Sequence, residues 1–225
     1  MFLTDAMRTA VGMLLALDPH VLEVVGVSLR VSLLATVLAS VVAVPIGFAV
    51  GAREFQGRRL AELLLNTLTA VPTVVVGLLT YAVLSRRGVL GVLGLLYTQA
   101  AMVIGETVLV IPLLAALTVA VLSGADPRIE ETALTLGASR LRAALTVLCE
   151  LRRGLLAAVA SGFGRLISEL GVALMVGGNI QHSTRTMTTA IALETSKGDF
   201  AFGFALGLVL LVVALTVNLV VAALK

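Results

Sequence analysis

Charged residues are scarce in this sequence. Only 13% of its 225 residues are Asp, Glu, Lys or Arg, whereas 59% are hydrophobic. A soluble domain of this length has roughly 25% charged residues, so the composition excludes an ordinary soluble domain. Long uncharged runs separate the charged positions, which is typical of an integral membrane protein.

Several other classes of protein are excluded by missing patterns. A single cysteine, Cys149, cannot form an intrachain disulfide. Alternating strand patterns are absent and the uncharged runs exceed the length of a barrel strand, so the spans are predicted to be helices. No basic run with interleaved aromatic residues is present, which leaves nucleic-acid binding without support.

Patterns of catalytic residues are missing as well. The two histidines, His20 and His182, are far apart in sequence, and Cys149 has no activating partner nearby. Neither lysine follows the glycine that a P-loop requires, so the chain does not hydrolyse ATP through that motif. We therefore predict a protein that is not an enzyme and that binds no metal or cofactor of its own.

Five long apolar segments predict an all-α, polytopic membrane protein that forms one transmembrane domain over residues 1–225. Prolines inside the first three segments predict kinked helices around a pathway. Gly47 and Gly51, four residues apart, could allow close contact between helices. The five predicted spans are residues 31–52, 63–85, 98–122, 154–176 and 200–224.

The first 19 residues predict a helix that lies in the membrane interface. Apolar residues recur there at helical spacing, while Thr4, Asp5 and Arg8 fall on another face. Thr4 is a candidate N-cap, and Asp18-Pro19 is expected to end the helix. A frayed terminus is the alternative.

A polar segment, residues 126–153, interrupts the apolar sequence between the third and fourth spans. It carries nine charged residues, in a chain with 16 Lys or Arg and 13 Asp or Glu. Asp126 and Pro127 are typical of a helix start, Gly137 of a break, and Ser139 of a second N-cap. The sequence predicts a helix, a glycine turn and a second helix, outside the bilayer and available to a soluble partner.

The distribution of Lys and Arg predicts the orientation of the chain. Basic residues in cytoplasmic loops exceed those in external loops. Six basic residues fall on one side of the predicted spans: Arg8, Arg30, Arg86, Arg87, Arg185 and Lys197. Nine fall on the other: Arg53, Arg58, Arg59, Arg128, Arg140, Arg142, Arg152, Arg153 and Lys225. The N-terminus is therefore predicted to be external, and the polar segment and C-terminus cytoplasmic.

Three charged residues lie within predicted spans. Arg165 and Glu169 are four residues apart and share a helix face. Such a pair either lines a pathway for an anion, with Glu169 orienting Arg165, or locks two helices as a structural ion pair. Glu106 is expected to pair with Arg165 or Arg30, or to be protonated, and to have a structural or gating role.

The predicted outer loop, residues 177–199, is rich in hydroxyl groups. Thr188 and Thr189 are among the side chains that could donate hydrogen bonds to an oxyanion. Met187–Leu193 is apolar enough to enter the membrane as a short helix. A solvated loop with a docking role is the alternative.

The polar segment resembles the cytoplasmic loop of bacterial ABC-importer permeases. The resemblance is carried by an acidic residue, two small residues, a glycine and a later aliphatic residue, although Cys149-Glu150 replaces the Leu-Pro that ends the family pattern. It implies that the segment is the coupling element that contacts a separate ATPase. The residues implied in this coupling are Glu131, Thr132, Ala133, Gly137, Ala138 and Ser139.

A second resemblance concerns the substrate. The stretch Arg165–Gly171, which contains Ser168, is similar to molybdate, tungstate and sulfate permeases. Gly177–Ile180 and Thr188–Glu194 are most similar to tungstate permeases. The resemblance implies a type I importer fold in the cytoplasmic membrane of a prokaryote, a homodimer with a central pathway, two ATPase subunits that bind ATP and magnesium, and an extracytoplasmic binding protein.

Several functions remain open from the sequence. The leading hypothesis is import of tungstate by alternating access, with molybdate or sulfate as alternative substrates. An ATP-independent channel or secondary carrier would need no ATPase. A membrane scaffold and an intramembrane enzyme have less support, because the spans contain prolines and charges but no nucleophile–base pair.

Overall fold

A computed structural model describes residues 2–52, 55–126 and 128–224. Within these ranges the chain forms α-helices and one short 3-10 helix, Gly91–Leu93, and no strand. The α-helices are α1 (Phe2–Leu15), α2 (Pro19–Gly51), α3 (Arg58–Thr69), α4 (Thr73–Leu84), α5 (Gln99–Ser123), α6 (Arg128–Thr135), α7 (Arg140–Glu150), α8 (Arg152–Ile167), α9 (Gly171–Gly177), α10 (Met187–Lys197) and α11 (Phe200–Leu224).

Three helices, α2, α5 and α11, are each long and apolar enough to cross a membrane. Two further pairs qualify only together, and both are bent: α3 and α4 by 90°, and α8 and α9 by 59°. The described residues thus contain three spans, or five if each bent pair counts as one. The all-α polytopic prediction is confirmed, and the predicted fifth span coincides with α11.

The first span begins earlier than the sequence predicted. Helix α2 is 33 residues long and starts at Pro19, with the carboxylate of Asp18 accepting hydrogen bonds from the amides of His20 and Val21. Asp18 therefore caps α2, whereas the preceding helix already ends at Leu15. Arg30 does not mark the start of the helix, because an exposed arginine can stand on the surface of a continuous helix.

Helices α2 and α5 form the centre of the bundle. Every fourth residue along one face of α2 is fully buried and is alanine or valine. These residues are Val31, Ala35, Ala39 and Ala43. A Cβ atom added to Gly47 would lie 2.5 Å from the Cβ of Thr118 and only slightly farther from a backbone oxygen. The predicted close contact at this glycine is confirmed.

The three span prolines have different effects. Pro45 and Pro112 lie inside helices that are assigned without interruption. Pro72 instead stands at the 90° break between α3 and α4. A proline lacks the N–H of a helical hydrogen bond and disfavours helical geometry in the preceding residue, Val71. The predicted kink at Pro72 is thus confirmed as a 90° break, and residues 63–85 belong to one span if the bent pair is counted together.

The N-terminal helix α1 packs against α11. Ala6 and Ala10 are its buried residues, and Met13 and Leu14 contact a cluster that contains Phe202. The helix is confirmed, although it begins at Phe2, before the expected N-cap Thr4. Two of its apolar side chains, Met7 and Val11, are 50% and 45% exposed. Its location in the membrane interface stays a prediction.

Candidate coupling segment and translocation pathway

The polar segment folds as two short helices joined by a turn. The carboxylate of Asp126 accepts a hydrogen bond from the amide of Arg128, 2.9 Å away, at the start of α6. Gly137 has a φ of +85°, a conformation that side chains disfavour. The Ser139 hydroxyl then accepts from the amide of Arg142 and caps α7. The predicted helix–turn–helix is confirmed, and Pro127 lies outside the described residues.

We call residues 126–153 the coupling segment, after the role that the resemblance implies. Most of the residues implied in ATPase contact are exposed on it. Glu131, Thr132, Gly137 and Ser139 are exposed, while Ala133 and Ala138 are half-buried. Thr132, Ala133 and Ala138 line a groove of about 540 Å³ together with Leu136, which is 83% exposed. Exposed apolar surface that projects from the spans is typical of a protein contact site.

The other side of the segment is anchored to the bundle. Ala143 and Val147 of α7 are buried. Glu131 and Val147 line a cleft of about 450 Å³ whose other wall includes Gly51 at the end of α2 and Leu122 near the end of α5. The segment thus faces the ends of the two central helices across this cleft, and its contact with the bundle includes α8.

The predicted pair Arg165–Glu169 lies where the fourth span breaks. The guanidinium of Arg165 is 2.7 Å from one carboxylate oxygen of Glu169. The other oxygen accepts hydrogen bonds from the amides of Gly171, at 2.8 Å, and Val172, at 3.3 Å. Glu169 therefore serves as an ion-pair partner and as a cap for α9, and the second of these roles was missed from the sequence.

The two members of the pair differ in exposure. The Glu169 side chain is 2% exposed, whereas the Arg165 side chain is 43% exposed. Ser168, beside them, is also exposed, and its hydroxyl donates to the carbonyl of Arg165 at 3.0 Å. The cation and the hydroxyl therefore reach the surface of the single chain, and the carboxylate does not.

The threonines predicted as oxyanion donors lie next to this break, at the start of α10. The Thr188 hydroxyl donates to the carbonyl of Glu169 at 2.7 Å. Thr189 is fully buried and forms a reciprocal capping box with Thr186. The structure thus brings Arg165, Ser168, Glu169 and Thr188 together, with hydroxyl groups that already bond to the protein.

Residues that the sequence did not single out hold this region in place. The amide of Met187 donates to the hydroxyl of Ser28 on α2 at 2.7 Å. The side-chain amide of Gln99 donates through Nε2 to the backbone carbonyl of Ser183, also at 2.7 Å. A short helix at 187–193 was correctly predicted, although α10 continues to Lys197. No local signal marked Ser28, because its partner lies on a distant part of the chain.

Glu106 is buried in the bundle and is 1% exposed. Its carboxyl group interacts with the hydroxyl of Ser32 and lies within the electrostatic influence of Glu169. Its other oxygen, Oε2, has no hydrogen-bond partner among the described atoms. The alternative pairings with Arg165 and Arg30 are absent from the described ion pairs, since Arg165 bonds to Glu169 instead.

Broken apolar helices around buried charges, with an exposed helical hairpin at one end, define a membrane transport component. Residues 43–225 match the family described as "binding-protein-dependent transport system inner membrane component". The chain belongs to this family and is a multi-pass inner-membrane permease component.

Similar proteins cover most or all of the chain. A tungstate uptake system permease protein of Peptoclostridium acidaminophilum is 39% identical over 100% of this chain and 98% of its own length. Its counterpart in Campylobacter jejuni is 39% identical over 100% of this chain and 94% of its own length. A probable anion ABC transporter permease protein of Haloferax volcanii is 38% identical over 88% of both chains.

Proposed function

We propose that this chain is the permease subunit of an ATP-driven importer of tungstate. The observation that carries the proposal is the similarity, over the full chain, to two tungstate uptake permeases at 39% identity. Residues 1–225 would act as one transmembrane domain. Transport would occur by alternating access, in which the pathway opens first to the outside and then to the cytoplasm.

The coupling segment is the part of the chain proposed to receive the ATPase. Its exposed groove at Thr132, Ala133 and Leu136 offers a contact surface, and its opposite side reaches the ends of α2 and α5. Closure of two ATPase subunits around ATP and magnesium would thus move the central helices. This chain would bind neither ATP nor a cofactor.

More Lys and Arg residues lie on the side of the spans that carries the coupling segment than on the other side. This excess supports an external N-terminus, with the coupling segment and the C-terminus in the cytoplasm. Two of the residues in this count, Arg53 and Lys225, lie outside the described residues. The binding protein would then contact the opposite end of the bundle, where the loop between α9 and α10 lies.

A second copy of the chain is proposed to complete the pathway. A charged side chain within a membrane normally faces a bundle interior or a water-filled cavity rather than lipid. The Arg165 side chain is 43% exposed on the single chain, so it requires such surroundings. A homodimer with facing Arg165 and Ser168 residues would supply them and would place a cation beside the path of an anion.

Reconstituted transport tests this proposal. Vesicles would contain the full chain and its cognate ATPase, with the binding protein and tungstate outside and ATP inside. We expect tungstate accumulation that requires all three proteins and ATP. Uptake by the chain alone without ATP would establish a channel or carrier instead. Preferential uptake of molybdate or sulfate would contradict the assigned substrate, and calorimetry of the binding protein with the three anions would check it independently.

A further inference from the structure

The only two histidines in the sequence meet at one glutamate. His20 and Glu23 are one helical turn apart near the start of α2, and His182 comes from the loop between α9 and α10. The C-terminal end of α2 lies at the coupling segment. With a rise of 1.5 Å per residue, the cluster is therefore about 45 Å from that segment along α2.

The donor atoms of the cluster converge. Nδ1 of His182 is 2.8 and 3.0 Å from the two carboxylate oxygens of Glu23, and Nδ1 of His20 is 3.7 Å from one of them. Each of the three residues offers one ligand atom, and these three atoms lie within 4.8 Å of one another. Tetrahedral zinc with bonds of 2.0–2.2 Å needs donors about 3.3–3.5 Å apart, so small side-chain rotations would bring them into range.

The backbone positions two of these side chains. His182 has a φ of +62°, in the left-handed region that non-glycine residues rarely occupy. Residues held in this conformation concentrate at functional sites. The His20 ring stacks on Phe202, with centroids 5.1 Å apart, and its amide is held by Asp18. The two imidazole rings lie close to each other, with centroids 5.9 Å apart.

The cluster is also accessible from solution. The side chains of His20 and Glu23 are each 34% exposed, and that of His182 is 68% exposed. Open space beside the donors leaves room for water to complete a coordination shell. Two imidazoles and one carboxylate form a ligand set that binds zinc in proteins with an open position.

The sequence predicted no metal site because the two histidines are far apart in the chain, but the fold brings them together. We propose that His20, Glu23 and His182 bind a first-row transition-metal dication, with Zn²⁺ as its representative. This site lies outside the candidate translocation pathway and is independent of the transported substrate. Bound metal would cross-link the start of α2 to the loop before α10, and through the His20–Phe202 contact it would also restrain the start of α11. The ion therefore fastens three segments at the end of the bundle opposite the coupling segment.

Metal titration of the full chain tests the site. The protein would be purified in detergent through an affinity tag without histidines, and Zn²⁺ would be titrated by calorimetry. Co²⁺ absorption would report nitrogen and oxygen ligands. We expect one ion per chain, and a rise in the thermal midpoint as Zn²⁺ saturates the site, because binding to the folded state alone stabilises it.

Variants of the three ligands decide the assignment. His20→Asn, Glu23→Gln and His182→Asn should each weaken Zn²⁺ binding by at least about tenfold, since even supporting residues of metal sites have effects of 10–100-fold. Asparagine tolerates the left-handed backbone at position 182, so His182→Asn retains the loop conformation. Cys149→Ser and Glu194→Gln are controls that should bind Zn²⁺ normally. Absence of saturable binding below 1 mM Zn²⁺, or unchanged binding in folded His182→Asn, would overturn the proposal.

Discussion

One carboxylate oxygen of Glu169 lies 2.7 Å from the guanidinium of Arg165. The other oxygen accepts hydrogen bonds from the first two amides of α9, at 2.8 and 3.3 Å. One side chain thus stabilises the break in the fourth span and holds the cation that reaches the chain surface. We infer that the two sequence interpretations of this pair, a structural lock and a pathway element, apply to different residues. The buried Glu169 fits the lock, and the exposed Arg165 fits the pathway.

Replacing Glu169 separates its capping role from its charge. Glu169→Gln keeps an oxygen that can accept from the α9 amides, whereas Glu169→Ala removes it. Loss of a helix cap costs about 0.5–2 kcal/mol, so Glu169→Ala should have the lower thermal midpoint by circular dichroism in detergent. Ser168→Ala is the control, because its exposed hydroxyl bonds only within its own helix turn. Equal midpoints for Gln and Ala would contradict the capping role.

Replacing Arg165 tests the pathway. Arg165→Ala should reduce ATP-dependent tungstate uptake by about tenfold or more, a factor that corresponds to a barrier increase of about 1.4 kcal/mol. Arg165→Lys should retain part of the uptake because it keeps the positive charge. Arg86→Ala, in an exposed loop position, is the matched control. Normal uptake by a folded Arg165→Ala variant would identify the arginine as a dispensable structural charge.

The contact between α2 and α5 predicts a marked difference between two glycines of the same helix. Gly47→Ala would place a methyl group 2.5 Å from the Cβ of Thr118, while Gly26→Ala would meet nothing within 4 Å. Overpacking of this kind costs about 1–3 kcal/mol. At an open helical position, alanine is favoured over glycine by roughly 0.5–1 kcal/mol.

Thermal unfolding of the two glycine variants, followed by circular dichroism, measures this difference. Gly47→Ala should lower the midpoint, and Gly26→Ala should leave it unchanged or raise it. A neutral Gly47→Ala would show that α2 and α5 can separate without cost at this position.

The coupling segment predicts where the ATPase binds. Ala133→Arg inserts a long charged side chain into the groove beside Leu136, and deletion of residues 131–137 removes the turn itself. Loss of a central contact in an interface typically costs 2 kcal/mol or more, roughly a thirtyfold loss of affinity. Co-purification of the ATPase should therefore be lost in both variants, while membrane insertion is preserved.

A matched arginine elsewhere controls for the added charge. Val92 is 98% exposed at the other end of the bundle, and Val92→Arg should leave ATPase co-purification unchanged. Survival of co-purification in the deletion variant would show that the coupling segment has been assigned incorrectly.

The sequence by itself determined the class of fold and the position of the coupling segment. Lipid offers no hydrogen bonds to the backbone, so long uncharged runs must be helical, and composition alone establishes this. The helix–turn–helix could also be predicted, because its signals are local. Asp126 and Ser139 accept hydrogen bonds from amides two or three residues ahead, and Gly137 adopts a positive φ itself. The end of α7 at Glu150 could not be predicted, because the Leu-Pro pattern that would mark it is missing.

Tertiary structure alone decided which distant residues meet and where spans break. The contacts from Glu23 to His182 and from Ser28 to Met187 each join residues 159 positions apart. No local pattern encodes such pairs, because they depend on how whole helices pack. The break after Ile167 contains no proline, and it is stable because Glu169 caps the following helix. Arg30 likewise marked the start of the first span in the sequence but lies inside α2, because the surface of a long helix tolerates an exposed charge.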